Sequence, residues 1–239
     1  MYKQPLGSDT RELLASIPNA ADEEAVVSPD GKWILVLTYP DSSPADLNEI
    51  LRVPIGGGTP ELIRKVPELH ATFFCARPPS KRCVFTELSE DNRQMVVSEF
   101  NPIMGPGAEL ARFEFDPQFN PKLNFAIWNI SPDGTRFAVS RGPAGPIQIY
   151  SFNDKSTHLI QPEGRIDMLN LVWAADGKAF YFSNRIKDGM ELLHMDLQGN
   201  TKSLWKNNDR TFCVPSPDGR NLAINDNKKI SNMWMMENF

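Results

Sequence analysis

Cysteine is scarce in this chain: there are three, Cys75, Cys83 and Cys213, and no CxxC. An odd number cannot all pair within one chain, so neither a disulfide framework nor a thiolate zinc site is expected. Long apolar runs are missing as well. No window approaches the roughly 18–20 apolar residues that a membrane helix needs. The opening MYKQPLGSDTRELL has no apolar stretch after its lysine, so no signal peptide is read in it. The chain is therefore expected to be soluble, without membrane insertion of its own. Basic charge is not in excess either: 25 Lys and Arg stand against 30 Asp and Glu, a net charge of −5. Nucleic-acid binding draws most of its affinity from neutralised phosphates, so nucleic acid is not an expected partner. What is plentiful is turn formers, 20 Pro and 15 Gly, in a chain of 239 residues that is 41% hydrophobic with 14 Phe and 5 Trp. Pro and Gly break helix interiors, and a chain this long buries enough surface for a core without a metal or disulfide staple.

A repeat organises the turns. SPDG occurs at Ser28–Gly31, Ser131–Gly134 and Ser216–Gly219, and the variant AADG at Ala174–Gly177. A worn copy lies between the first two, Arg77-Pro78-Pro79-Ser80 followed by KRCVFTE. Successive copies are 42 to 54 residues apart, the period of a four-stranded propeller blade. Each copy has the same grammar. Pro presets the φ of a type I turn, Asp caps it with its side chain, and Gly takes the left-handed position that closes a bulged hairpin. Asp30, Gly31, Asp133, Gly134, Asp176, Gly177, Asp218 and Gly219 are accordingly read as structural turn residues. Beyond each turn apolar residues alternate: Ile34 and Val36, Phe137 and Val139, Phe180 and Phe182, Leu222 and Ile224, with Cys83 and Phe85 in the worn copy. Period two marks strands with a buried face. A second hairpin follows each first one, led by EILRVPI, QMVVSEF, IQIYSF and ELLHMDL and closed by ELIRKV, LARFEF, THLIQ and TKSLW. Two hairpins make one blade.

SPDG, two alternating apolar positions, a further strand and VPIGGGTPELI together resemble the WD-repeat-like β-propellers of the TolB type. Similar repeats form the propellers of prolyl-oligopeptidase-like enzymes and the sensor halves of some bacterial kinases and winged-helix regulators. The resemblance covers essentially the whole chain and implies an all-β propeller of about five four-stranded antiparallel blades. The expected divisions of this single domain are a half blade over 1–22, full blades over 23–67, 68–123, 124–165 and 166–209, and a three-stranded last blade over 210–239. Met1–Leu6 and Asn232–Phe239 both match the third-strand position. Two arrangements fit: five closed blades with the N-terminal strand displaced, or an open arc of a ring of about six to eight blades. The arc is preferred.

The residues spell no catalytic or metal-binding constellation. No G-x-S-x-G elbow occurs. The Gly56-Gly57-Gly58 run lacks the Lys-Ser/Thr of a phosphate loop and precedes a strand. His70, His158 and His194 fall in different repeats, without metal-ligand spacing. Cys83 is read as a buried apolar residue. Met233, Trp234, Met235 and Met236 read as a core strand and tail. The chain is expected to be no enzyme and to carry neither cofactor nor metal: a scaffold that binds a protein partner or small ligand on the propeller face. The resemblance implies the propeller part of a larger bacterial sensor or secreted TolB-like protein, periplasmic or extracytoplasmic. The alternative is the substrate-gating propeller of a prolyl-oligopeptidase-like peptidase. Binding segments are sought in Tyr39–Asn48, Pro102–Leu110 and Phe115–Leu123, where the repeat signature is absent.

Overall fold

The structure is a computed structural model, and it describes residues 1–4, 9–17, 20–40, 47–66, 71–115, 127–140, 142 and 144–227. Among these residues the chain forms twenty β-strands and no helix. The first pair, β1 (Tyr2–Lys3) and β2 (Glu12–Leu13), makes a two-stranded sheet. Four sheets of four antiparallel strands follow, each consecutive in sequence. They comprise β3 (Ala20–Val27), β4 (Trp33–Pro40), β5 (Asn48–Pro54) and β6 (Glu61–Val66); then β7 (Thr72–Cys75), β8 (Cys83–Leu88), β9 (Gln94–Asn101) and β10 (Gly105–Glu114). The third is β11 (Ile127–Ile130), β12 (Arg136–Ser140), β13 (Ile147–Ser151) and β14 (Thr157–Ile160). The fourth is β15 (Val172–Trp173), β16 (Ala179–Ile186), β17 (Gly189–Asp196) and β18 (Thr201–Asn207). A last hairpin joins β19 (Arg210–Pro215) to β20 (Leu222–Asn227). The Met-rich end lies outside the described residues.

The chain divides into two compact units, Met1–Gly142 with Ile147–Leu159, and Pro143–Pro146 with Ile160–Phe239. In the first unit the apolar positions read from the repeat face inward. Leu35, Leu37, Ile50, Phe73 and Phe85 form one buried cluster. Phe113, Trp128 and Phe137 form another, with Phe137 stacked on Trp128 at 5.0 Å and on Phe113 at 5.4 Å. In the second unit Trp173 packs on Phe180 at 4.1 Å, and Phe182, Met168, Leu192 and Met195 are buried. Burial falls off across each sheet. The second strands β8 and β12 are almost wholly buried, whereas the last strands β14 and β18 are mostly exposed. Exposed last strands are tied to their neighbours by cross-strand ion pairs, Lys65 to Glu49 and Lys206 to Glu191, both at 3.0 Å. Charged edges of this kind also discourage pairing with other chains.

Two sequence expectations need correction. The Pro102–Leu110 segment, expected to lie outside the repeat, is a short turn that re-enters the ladder at Gly105. Asn101 Oδ1 accepts from the N–H groups of Ile103 and Met104 and holds that turn closed. β10 carries two register shifts, between Pro106 and Glu109 and between Glu109 and Ala111. These bulges break the period of two over the first half of β10, which is why only its LARFEF end is legible in the pattern. The second correction concerns sulfur: Cys75 and Cys83 sit directly opposite each other on β7 and β8 and are joined as a disulfide, leaving Cys213 as the free thiol.

Candidate functional site

The polar residues of the repeat are held in one recurring turn. Ser28 Oγ donates to Asp30 Oδ1 at 2.6 Å and accepts the N–H of Trp33 at 3.0 Å, while Asp30 Oδ1 accepts the N–H of Lys32 at 3.1 Å. Gly31 N–H closes the turn on Ser28 O at 2.9 Å. Ser131 with Asp133, and Ser216 with Asp218, repeat this pattern bond for bond. In the Ala174 copy there is no hydroxyl, and Asp176 keeps the bond from the N–H of Lys178 at 2.9 Å. The closing glycines Gly31, Gly134, Gly177 and Gly219 all have φ between 67° and 74°.

A further copy escaped the sequence reading. Ser89-Glu90-Asp91-Asn92 sits between β8 and β9, with Ser89 Oγ on Asp91 Oδ1 at 2.6 Å and Gln94 N–H on Ser89 Oγ at 3.0 Å. Asn92 takes the left-handed position at φ 56°. Its signal was Ser-x-Asp followed by a residue that tolerates positive φ.

These bonds shift the carboxyls. Asp30, Asp91 and Asp218 titrate below the ordinary carboxylate range, chiefly because a serine hydroxyl donates to each. Partial burial pushes Asp133 up, but donation from Ser131 and Thr135 outweighs it and its pKa also falls. Asp154, held by Ser151 and Ser156, drops from 3.8 to about 2. A carboxyl whose pKa is lower when folded stabilises the fold above its unfolded pKa and gives that up as pH falls through the folded value. Stability is therefore expected to decline as the pH drops below about 4. In urea unfolding across that range, Asp154→Asn should flatten the part of the decline between 3.8 and about 2. An unchanged profile would mean the bond does not survive in solution.

The worn hairpin is built differently. Ser80 N–H donates to Arg77 O at 3.0 Å across a cis Pro78–Pro79 peptide, the arrangement of a type VI turn. That turn lies against the Ser131–Gly134 turn of the next sheet. Arg77 N–H donates to Pro132 O at 2.8 Å, and Arg82 Nη1 donates to Gly134 O at 2.8 Å. The Arg82 guanidinium also stands over the Phe152 ring, 5.0 Å from its centroid. A Cβ on Gly134 would meet Ala76 Cβ at 3.1 Å and Arg82 Cβ at 3.2 Å, and would collide with Ser80 Oγ. Only a residue without a side chain lets the two turns meet this closely.

Where they meet, a cleft of about 500 Å³ opens, lined among others by Ser80, Lys81, Arg82, Asn101, Asp133 and Asn153. It is polar and carries both signs of charge, with Lys81 and Arg82 facing a lining that includes Glu99 and Asp133. It draws on four separate turns of the second and third sheets, all within the first unit. Among the described residues of the segments expected to bind, Gly107 of Pro102–Leu110 borders it. Residues 41–46 and 116–123 lie outside the described residues, as does His70. His158 is exposed on β14, and His194 packs edge-on against Tyr181 at 5.4 Å. Cys213 is buried, which pushes its thiol up to about 12. Among the described residues no group of three or more His, Cys, Asp and Glu side chains is placed to hold a metal ion. No helix among them is long and apolar enough to cross a membrane.

Consecutive four-stranded antiparallel sheets, two of them opened by a Ser-Pro-Asp-Gly hairpin and one by its Ala-Ala-Asp-Gly variant, give the chain a β-propeller fold like that of TolB. Solved structures carry the same fold. A protein of Agrobacterium tumefaciens described as a TolB matches with a TM-score of 0.60 at 17% identity, over 84% of this chain and 68% of that one. TolB from Acinetobacter baumannii matches with a TM-score of 0.59 at 18% identity, over 83% of this chain and 46% of that one. Prolyl oligopeptidase B from Galerina marginata, bound to a 35mer substrate, matches with a TM-score of 0.54 at 12% identity, over 91% of this chain and 32% of that one. No protein-family profile and no curated protein matches the chain.

Proposed function

We propose that the chain is a non-catalytic binding scaffold that takes a polar segment of a protein partner in the cleft between its second and third sheets. The observation that carries this is the convergence of side chains from four turns on one polar hollow of about 500 Å³. Loops held on a rigid β scaffold are where such folds place their contacts. The repeat's serines and aspartates, the residues a hydrolytic reading would recruit, are engaged in turn bonds instead. Opposite charges within the lining suit a segment with hydrogen-bonding groups and mixed charge, rather than an apolar one.

The disulfide between Cys75 and Cys83 supports an oxidising, extracytoplasmic setting. Because the chain spans 46% of the Acinetobacter TolB and 32% of the peptidase, it is proposed to serve as the binding portion of a larger extracytoplasmic protein.

The test is selection of displayed random heptapeptides on the immobilised chain. Lys81→Glu combined with Asn153→Lys alters the cleft without touching any of the turn bonds described above. Selected peptides should lose roughly tenfold or more in affinity for that variant, about 1.4 kcal/mol. They should bind Lys202→Glu, on β18, as they bind the parent chain. Equal affinity for all three proteins would discard the cleft as the binding site.

A further inference from the structure

The Cys75–Cys83 bond stands where the other hairpins of this class hold ordinary apolar pairs. Its equivalents are Val27 opposite Ile34, Ile130 opposite Phe137, and Trp173 opposite Phe180. It falls in the hairpin whose turn has lost both the Asp and the Gly of the repeat. Every other hairpin of the class has at least an aspartate oxygen accepting the second N–H beyond it, as in Asp30, Asp133, Asp176 and Asp218. In the Cys hairpin the corresponding side-chain bond is a longer one, Arg82 N–H to Ser80 Oγ at 3.3 Å. A covalent link has replaced the carboxylate clamp. The loop it closes is short, with a sequence separation of 8, and carries Ser80, Lys81 and Arg82, all on the cleft wall. Cys83 borders the cleft but is buried, whereas Cys75 is only partly buried, so a thiol approaches the bond from the Cys75 side.

We propose that the Cys75–Cys83 disulfide is a redox-sensitive clamp on the cleft: oxidised, it holds the β7–β8 turn with Ser80 and Arg82 against the Gly134 turn; reduced by a dithiol, it releases them. The exchange balances without further reactants. A thiolate of the dithiol attacks the Cys75 sulfur, and the Cys83 thiolate leaves and takes up a proton. The second thiol of the dithiol then displaces Cys75 as a thiolate, which is protonated in turn. The protein gains two electrons and two protons, and the dithiol becomes a disulfide. The reduced hairpin keeps its ladder at Thr72–Phe74 but lacks both the covalent link and the carboxylate clamp at its tip. The Arg82 bond to Gly134, the Arg77 bond to Pro132 and the turn's own Ala76–Arg82, Ser80–Arg77 and Arg82–Ser80 bonds then have to hold the turn without a covalent link.

The consequence for ligand rests on the cleft reading, whereas the clamp itself does not. The full chain is first unfolded without reductant and alkylated. One alkylated cysteine, Cys213, is expected, and three would overturn the proposal. Hydrogen exchange of the native chain is then compared with and without dithiothreitol. The amides of Ala76, Arg77, Ser80 and Arg82 are expected to exchange roughly tenfold faster after reduction, while those of Gly31 and Trp33 in the β3–β4 turn stay unchanged. In Cys75→Val with Cys83→Ile, which copies the Val27–Ile34 pair, the reductant should have no effect. Unchanged exchange in the parent chain, or an equal response in the double variant, would overturn the clamp. Affinity for a selected heptapeptide separates the two ideas: faster exchange with a loss of about fivefold or more supports both, and faster exchange at unchanged affinity upholds the clamp and removes the cleft as the binding site.

Discussion

Phe137→Ala is expected to lower the unfolding free energy by about 3–5 kcal/mol, the usual loss for a large aromatic cut out of a packed core. Phe137 has no exposed surface and touches rings on three sides: Trp128 at 5.0 Å, Phe113 at 5.4 Å and Phe152 at 6.3 Å. Those rings come from β10, β11 and the turn after β13, so the side chain joins the second sheet to the third. The cavity left by alanine is walled by aromatic faces fixed on separate strands, which limits how far it can collapse. The same stack underlies the cleft, since Phe152 also carries the Arg82 guanidinium. Urea unfolding followed through tryptophan fluorescence reads the effect, because Trp128 is a direct neighbour. A loss below about 1 kcal/mol would place Phe137 in a solvated position and break the account of the first unit's core.

Gly189→Ala carries the second large effect, in the second unit. Gly189 opens β17 at φ 134°, a backbone conformation almost confined to glycine. A Cβ there would overlap the carbonyl oxygen of Asn207 and lie 2.8 Å from the Asn208 Cα. Both obstacles are backbone, so no side-chain rotation relieves them. Strain at the residue costs about 1–3 kcal/mol and forced overpacking a similar amount, giving about 3–5 kcal/mol together. Gly56→Ala is the control, because its added Cβ meets nothing within 4 Å and its φ is not positive. It should stay within about 0.5 kcal/mol of the parent. Equal effects at the two glycines would mean that the β16–β17 turn is not formed as described.

Most of the architecture was legible because the repeat writes its turns and buried faces in local chemistry. Ser-Pro-Asp-Gly names its own hydrogen bonds, and Ile34, Phe137 and Phe180 name the face that packs. What was missed lies where local pattern and tertiary structure part company. The bulges in β10 shift side chains off the period of two. The edge strand of the fourth sheet is also short: β15 holds only Val172–Trp173. Upstream of it, side chains stand in for backbone partners. Asn170 Oδ1 accepts the N–H of Ser183 and Asn184 Oδ1 accepts the N–H of Asp167, each at 2.7 Å. The disulfide was within reach of the sequence. Cys83 had been placed at the position of Ile34, and extending the register one turn back puts Cys75 at Val27, its direct partner. Counting three cysteines as an odd number hid the pair. The cleft was not legible, because it depends on two turns of different sheets meeting at Gly134, and no pattern within one repeat encodes that contact.

The central claim is that a polar partner segment binds where those two turns meet. Amide chemical-shift mapping of the chain with a selected heptapeptide tests it most directly. The account predicts shifts concentrated on Ser80–Cys83, Asn101, Gly134–Thr135 and Asn153, with the turns at Ala174–Gly177 and Ser216–Gly219 unmoved. Shifts centred on those latter turns, or spread evenly along the exposed strands β14 and β18, would contradict it.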